Sequence, residues 1–340
     1  MGKYYDLIMS PLKDSYTYCF NQCWQNQLNK LEKPYSDAIQ LRIGNHLRAK
    51  LTCWGAALNA DCVSDIDLNR VAVVSSYIEM LHKASIIIDD VIDDDDARHS
   101  QKAFHIEFGK QRAFIFSMAL LARGMSGINE VFKNTNCHYN SINLYSNTIY
   151  NMAVGCIEEL SLDTTSRYDI ERIRKIISLE TIELIKNSFV LGFWATSDSP
   201  NNPVENRVIE IGENCGYMFQ VLNDLEPFSS EEKNRSYKGG RNIDLNRDRK
   251  NYIVSYIFGA ATQIEKQNLL TLTGQELHSY VMTLYEKYSV LQSIISEVRS
   301  IQQQTDRQII NLQSVGVNDE YIEDFRKFVS EMIEICFSRL

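Results

Sequence analysis

The sequence predicts an all-α protein. Two observations carry this. The 340 residues include only 15 glycines and 5 prolines, so turns are few and the elements between them long. Apolar residues also recur at helical spacing, most clearly at Val74, Ile78, Leu81, Ser85 and Ile88, which suits a buried helix. Apolar residues make up 44% of the chain, ample for a core. The length suits one large domain or two ordinary ones. No repeat, low-complexity tract or dividing linker is visible, so residues 1–340 are expected to form a single domain.

The elements follow in order. Residues 3–31 read as helix, punctuated by Tyr5, Leu7, Tyr18, Phe20, Trp24 and Leu28. Lys33-Pro34-Tyr35-Ser36-Asp37 breaks it and offers a cap. A second helix spans 38–59, and 59–67 connects it to a central helix from about Leu68 to Asp93. Residues 94–102 are polar and read as a mobile loop. Helical patterns cover 103–133, break at 134–140 and continue over 141–162. A long apolar helix spans 169–196. Ser197-Asp198-Ser199-Pro200-Asn201-Asn202-Pro203 is a clear loop. Residues 204–226 form the next helix. Residues 229–250 are charged and irregular, and helices then run to the C-terminus with a break near 314–318.

Charge and cysteine usage exclude several classes. The net charge of −9 and pI of about 5.3 disfavour nucleic acid and anionic membranes as partners. Eight cysteines are scattered without metal-ligand spacing, so reduced thiols in a cytoplasmic protein are expected. No N-terminal signal is visible, and no apolar run is expected to reach the roughly 18–20 residues that span a bilayer.

The central helix ends in chemistry. Six aspartates fill the eight positions from Asp89 to Asp96. Asp89 and Asp93 are four apart and share a helix face, with Ser85 and His82 further back along it. A cluster of aspartates at a helix C-terminus opposes the helix dipole, and a packed helix bears stacked carboxylates badly unless they hold a cation. Carboxylates from one wall suit Mg²⁺, which keeps waters and shares positions with phosphate oxygens. Asp94, Asp95 and Asp96 read as a solvated helix end. Asp224 ends a second apolar helix in the same way. Positive charge follows each acidic end: Arg98 after the first, Lys238 and Arg249 after the second. Carboxylates, a divalent metal and Arg or Lys together suit a diphosphate.

The stretch from Glu79 to Asp93, followed by Arg98, resembles the first aspartate-rich motif of the trans-isoprenyl diphosphate synthases, in the style of geranylgeranyl diphosphate synthases. Weaker similarities run from about residue 40 to 260. Gly44 to Arg48 resembles the Gly-Lys-x-x-Arg segment, and Gly155 with Glu159 the Gly-Gln-x-x-Asp segment. Phe219 to Pro227, which includes Gln220, resembles the second aspartate-rich motif. Asp244-Leu245 with Arg249-Lys250 resembles the Asp-Leu-x-x-Gly-Lys segment. The resemblance implies a single bundle of antiparallel helices around a deep apolar cavity, and a homodimer. It implies an allylic isoprenyl diphosphate substrate, bound through three Mg²⁺ ions and ionised to a carbocation.

Departures from the family pattern shape the expected function. The lysine that would hold isopentenyl diphosphate is Asn45, and the second arginine of an Arg-Arg pair is His99; Arg48 and His82 remain. On the allylic side the lysine of a Lys-Thr pair is Glu180, with Thr181 kept. The second motif has Asn223 and Pro227 where aspartates are usual. Asn223 and Glu231, eight apart, also resemble part of the metal triad of terpene cyclases. Metal ligands expected on these grounds are Asp89, Asp90, Asp93, Asn223, Asp224 and Glu231. Cyclisation of a farnesyl or geranylgeranyl cation is the leading expectation. The alternatives are prenyl transfer to another acceptor, ordinary chain elongation, and a non-catalytic subunit of a heteromeric synthase. Ser85 and Ala84 are small where short-chain family members carry aromatics, so a long tail is expected to fit. Phe189 and Trp194 are the side chains that would otherwise fill that space.

Overall fold

A computed structural model describes residues 12–41, 46–60, 62–98, 101–196, 203–228, 250–338 and 340. The described residues are nearly all helical, as the sequence predicts. The first elements are α1 (Lys13–Leu28), α2 (Tyr35–Leu41), α3 (Leu47–Ala57) and α4 (Leu68–Asp93). There follow α5 (Phe104–Phe108), α6 (Lys110–Phe132), α7 (His138–Leu160), α8 (Ile170–Ile177), α9 (Glu183–Thr196) and α10 (Pro203–Leu225). The rest are α11 (Tyr252–Ala260), α12 (Gln263–Thr271), α13 (Gly274–Lys287), α14 (Val290–Ile310) and α15 (Asp319–Phe337). One apolar cluster runs through them from Leu12 to Cys336.

Helix α4 is the axis of the bundle and packs against α1, α3, α6 and α9. Its boundaries match the sequence reading. Asp67 caps its start by accepting from the Arg70 N–H at 3.1 Å. Asp94, at φ 53°, ends it in the left-handed region that aspartate tolerates.

Four differences from the sequence reading have local causes. The helix expected over 38–59 is two, because His46 enters α3 at φ 49° and cannot continue α2. The helix expected over 103–133 breaks at Gly109, whose φ of 89° suits glycine. Between α8 and α9, Ser178–Ile182 form a π-helical turn, so the expected 169–196 helix carries a wider register mid-way. The expected loop at 94–102 contains a small antiparallel ribbon, with β1 (Ala97–Arg98) paired to β2 (Gln101–Lys102).

A fifth difference concerns hydropathy. Helix α4 is long and apolar enough to cross a membrane, contrary to the sequence expectation, but 72% of its most apolar window is buried inside the bundle. Its apolarity therefore serves the core.

Helices α3 and α9 approach backbone to backbone. A Cβ on Gly55 would lie 2.0 Å from the Phe189 carbonyl oxygen, and one on Gly192 would lie 1.9 Å from the Thr52 carbonyl oxygen. Neither neighbour is a movable side chain, so both glycines are steric requirements. Gly192→Ala is expected to cost about 3 kcal/mol through forced helix separation, read as a lowered melting temperature. An unchanged melting temperature would show that the helices can part freely.

Candidate active site

Helix α4 changes character along its length. From Val71 to Leu81 it is buried almost all round. From His82 onward one face opens. His82, Ser85, Ile88 and Asp93 are half-buried and Asp89 is exposed. These are the spacings of a single helical stripe, so the structure brings His82, Ser85, Asp89 and Asp93 together as the sequence predicts. Ser85 donates to the His82 carbonyl at 2.9 Å, while Ala84 is fully buried off the stripe. Asp90 lies about 100° further round the helix and is only 2% exposed. The solvated reading of 94–96 holds for Asp94, exposed and 3.0 Å from Lys110, and for Asp96. It fails for Asp95, which is 2% exposed; the turn after Asp94 folds it back under the helix end, where its N–H donates to the Asp90 carbonyl.

At the upstream end of the stripe, α3 supplies Arg48. Its Nη1 lies 3.2 Å from His82 Nε2, and its guanidinium stands 5.8 Å from the centre of the Phe219 ring. A buried network holds α3 there. Glu79, 1% exposed, accepts from the Ala49 N–H at 3.2 Å and lies 3.3 Å from His46 Nδ1. Tyr16 donates to the Ala49 carbonyl at 2.6 Å and contacts Ser75 Oγ at 2.8 Å. Burial works to raise the Glu79 pKa, but the charges of His46, His82 and Lys83 outweigh it and hold the carboxyl well below its usual range.

Across from α4, the π turn carries Glu180 and Thr181. Thr181 donates to Gln220 Oε1 at 2.8 Å, and Gln220 Nε2 donates to Asp224 Oδ1 at 2.7 Å. Asp224, 9% exposed, also accepts from the Tyr252 N–H at 2.7 Å, and its carbonyl accepts from Asn251. Thr181, Gln220 and Asp224 thus form one chain, with the carboxylate capping the start of α11. Helix α10 ends at Leu225, and Glu226–Phe228 form a 3-10 turn. Proline at 227 removes a backbone donor and ends the α-helical register, so no unbroken α-helix joins Asn223 to residue 231.

Glu180 faces a cluster that the sequence reading did not assemble. Lys250 Nζ donates to Glu159 Oε2 at 2.5 Å and also contacts Glu180 Oε2. Glu180 Oε1 is buried without a hydrogen-bond partner. Burial opposes the Lys250 charge, but Glu180 and Glu159 outweigh it and keep the ammonium protonated. One ammonium cannot match two carboxylates. Burial therefore pushes Glu180 up to about 7 against the pull of Lys250, with Glu159 and Asp89 adding repulsion.

Asn45, His99, Glu231, Lys238 and Arg249 lie outside the described residues, as does the side chain of Arg98. Among the described residues no group of three His, Cys, Asp or Glu side chains could hold a metal ion by itself. The hard oxygens of Asp89 and Asp93 on one wall fit instead a Mg²⁺ ion that is shared with a phosphate and its waters.

A family model described as polyprenyl synthetase matches residues 29–288. The chain belongs to the polyprenyl synthetase family. It is 23% identical over 270 residues to a geranylgeranyl diphosphate synthase of Saccharolobus solfataricus, covering 78% of this chain and 80% of that one. The fold matches a geranylgeranyl pyrophosphate synthetase of Pyrococcus horikoshii at a TM-score of 0.79, 19% identity and coverage of 98% and 99%. It also matches a polyprenyl synthase of Caulobacter crescentus, solved with calcium and isoprenyl diphosphate, at 0.77, 15% identity and 96% of each chain. Family membership makes this protein an isoprenyl diphosphate-using prenyltransferase enzyme.

Within this polyprenyl synthetase, sequence reasoning missed the anchoring role of Glu79 and the Glu159–Lys250–Glu180 contact. The signal for the second was present: Glu180 stands at a family lysine, and a reversed charge calls for a partner. The anchoring role gives a pH test. Glu79 is depressed below its ordinary 4.5, so its contribution is complete above that value and is lost as pH falls through the lowered one. Glu79→Gln is expected to cost about 3 kcal/mol at pH 7, with the gap to wild type narrowing in strong acid. A pH-independent gap in urea titrations would contradict this.

Proposed function

We propose that this protein ionises a long allylic isoprenyl diphosphate, farnesyl or geranylgeranyl, and transfers the prenyl group to an acceptor other than isopentenyl diphosphate. The open face of α4, with Asp89 and Asp93 at its end, carries the first half of this reading. Asp89, Asp90 and Asp93 would hold Mg²⁺ from one side, and Asn223 and Asp224 from the other. Glu231 is left aside because α10 ends at Leu225. Three ions with the bound diphosphate is the stoichiometry the family pattern implies. Bound Mg²⁺ supplies charge to the departing diphosphate. Arg98, Lys238 and Arg249 add fixed positive charge, Thr181 and Gln220 supply polar contacts, and apolar walls keep water from the cation.

The acceptor half rests on Asn45 and His99, where two cationic contacts of the family pattern are missing. The retained pair, Arg48 and His82, contact each other. Chain elongation with isopentenyl diphosphate is the second reading, favoured by the family match and by the relatives' names. Cyclisation loses its main support, because the triad-like pattern needed α10 to continue past Pro227.

Ser85 supports a long tail, since it lies one turn below Asp89 on the open stripe. The two aromatics that would otherwise fill that space are engaged elsewhere: Phe189 packs on Phe325, and Trp194 donates to Glu205 at 2.9 Å. One continuous apolar cluster supports a single domain, and eight free thiols suit a reducing, cytoplasmic setting. Exposed Phe114, Ile115 and Met118 on α6, with Tyr150, Ile157 and Leu160 on α7, suit a homodimer; a monomer by sedimentation equilibrium would refute that.

The deciding assay incubates the protein with Mg²⁺ and each allylic diphosphate, with and without isopentenyl diphosphate, and identifies products by mass spectrometry. No elongated diphosphate is expected when isopentenyl diphosphate is supplied. Two lost charge-assisted contacts at about 1.5–3 kcal/mol each weaken that acceptor by a few powers of ten. Efficient elongation would establish the second reading instead. Asp89→Ala is expected to lower turnover by several powers of ten with the fold intact; near-normal turnover would remove Asp89 from the metal site. Ser85→Phe should reject fifteen- and twenty-carbon tails and leave metal binding unchanged. A wild type that prefers geranyl diphosphate would place the cavity floor elsewhere.

A further inference from the structure

Asp224 is aimed by donors from two helices. Gln220 Nε2, one turn earlier on α10, donates to its Oδ1 at 2.7 Å, and the Tyr252 N–H, at the start of α11, donates to its Oδ2 at 2.7 Å. The direction of its remaining lone pairs therefore depends on where α11 begins relative to α10. Asn251 fixes part of that relation, since its side chain donates to the Asp224 carbonyl at 3.0 Å. The other part is fixed at the far end of the Tyr252 side chain.

There Glu297, half-buried on α14, gathers both helices. Its Oε1 accepts from the Tyr252 hydroxyl at 2.9 Å and from the Tyr217 hydroxyl at 2.7 Å. Tyr217 lies two turns before Asp224 on the same side of α10. The two rings stand 5.8 Å apart at 82°. Arg174 of α8 completes the knot. Its Nη2 donates to the Tyr252 hydroxyl at 3.2 Å, so that hydroxyl accepts from a cation and donates to an anion. Burial pushes both phenol pKa values up, so both remain donors. Hydrogen bonds to a charged partner are the stronger class, and one carboxylate oxygen shared between two helices fixes their separation. The core does not need a carboxylate here: α14 packs on α10, and its Ile294 and Val298 are fully buried.

We propose that Glu297 is a positioning residue: through Tyr217 and Tyr252 it sets the direction from which Asp224 reaches a metal ion. The proposal rests on the assignment of Asp224 to the far side of the metal site. Glu297 acts only through other groups. The path runs from its carboxylate along the Tyr252 side chain and backbone to Asp224 Oδ2. Loss of a group that orients a metal ligand from behind typically lowers metal affinity about 10–100-fold.

The test uses Mn²⁺ with inorganic pyrophosphate on the full chain, and electron paramagnetic resonance measures free against bound ion. Glu297→Ala is expected to weaken Mn²⁺ binding about tenfold. Tyr252→Phe, which keeps the ring and the backbone N–H, should weaken it in the same direction. The discriminating measurement is the double variant. In an Asp224→Asn chain, Glu297→Ala should produce no further loss, because its path ends at Asp224. General loosening of the fold would add its cost in both backgrounds. Thermal melts establish that each variant folds; if Glu297→Ala does not, Tyr252→Phe decides by the same comparison. Unchanged Mn²⁺ binding in the folded variant, or equal losses with and without Asp224, would overturn the proposal. Unchanged binding in Asp224→Asn would remove Asp224 from the metal site and the proposal with it, so the two failures are distinguishable.

Discussion

The burial of α4 is the constraint on which the other features depend. Its first turns must be apolar on nearly every side, because α1, α3, α6 and α9 all pack on it. Its last turns must carry carboxylates that water or a cation can reach. A helix meets both demands only if its environment changes along its length, and the structure does this by opening the stripe from His82 to Asp93. The fit of the neighbours follows from that requirement. Tyr16 of α1 ties α3 to α4 through Ala49 and Ser75. Glu79 binds the start of α3 from within α4 itself, which brings Arg48 to His82. The buried polar groups of α4 therefore serve to aim the open ones.

Electrostatics divide the site in two. At the upstream end Glu79 is a buried carboxylate with enough positive neighbours, and its charge is held firmly. At the π turn Glu180 is a buried carboxylate with too few, since Lys250 is shared with Glu159. The same residue type thus anchors a helix as a firm charge in one place and is pushed toward its neutral form by burial in the other. Asp224 lies between these cases. Its oxygens already accept from Gln220 and the Tyr252 N–H, though a carboxylate has further lone pairs to offer a metal. Removing it would unsettle the start of α11 as well as any metal it holds, whereas Asp89 stands in the open and is separable from stability.

The sequence by itself determined the helical class, the limits of α4, and the stripe of His82, Ser85, Asp89 and Asp93. Each follows from local periodicity: a 3.6-residue repeat, a capping Asp67 and a polar stop are all written within a few residues of where they act. It also determined family membership, because the first aspartate motif is contiguous. What only the tertiary structure decided are relations between distant residues. Lys250 meets Glu159 and Glu180 across separations of 91 and 70 residues. Arg48 meets His82 across 34, and Asp95 is turned under the helix end rather than into solvent. The end of α10 lies between these cases: proline at 227 announced it, but which carboxylates can share a metal depends on where the chain goes next. Periodicity encodes which way a side chain points on its own helix. What waits opposite is set by the packing of helices, and a charge such as Glu180 acquires its meaning only from that partner.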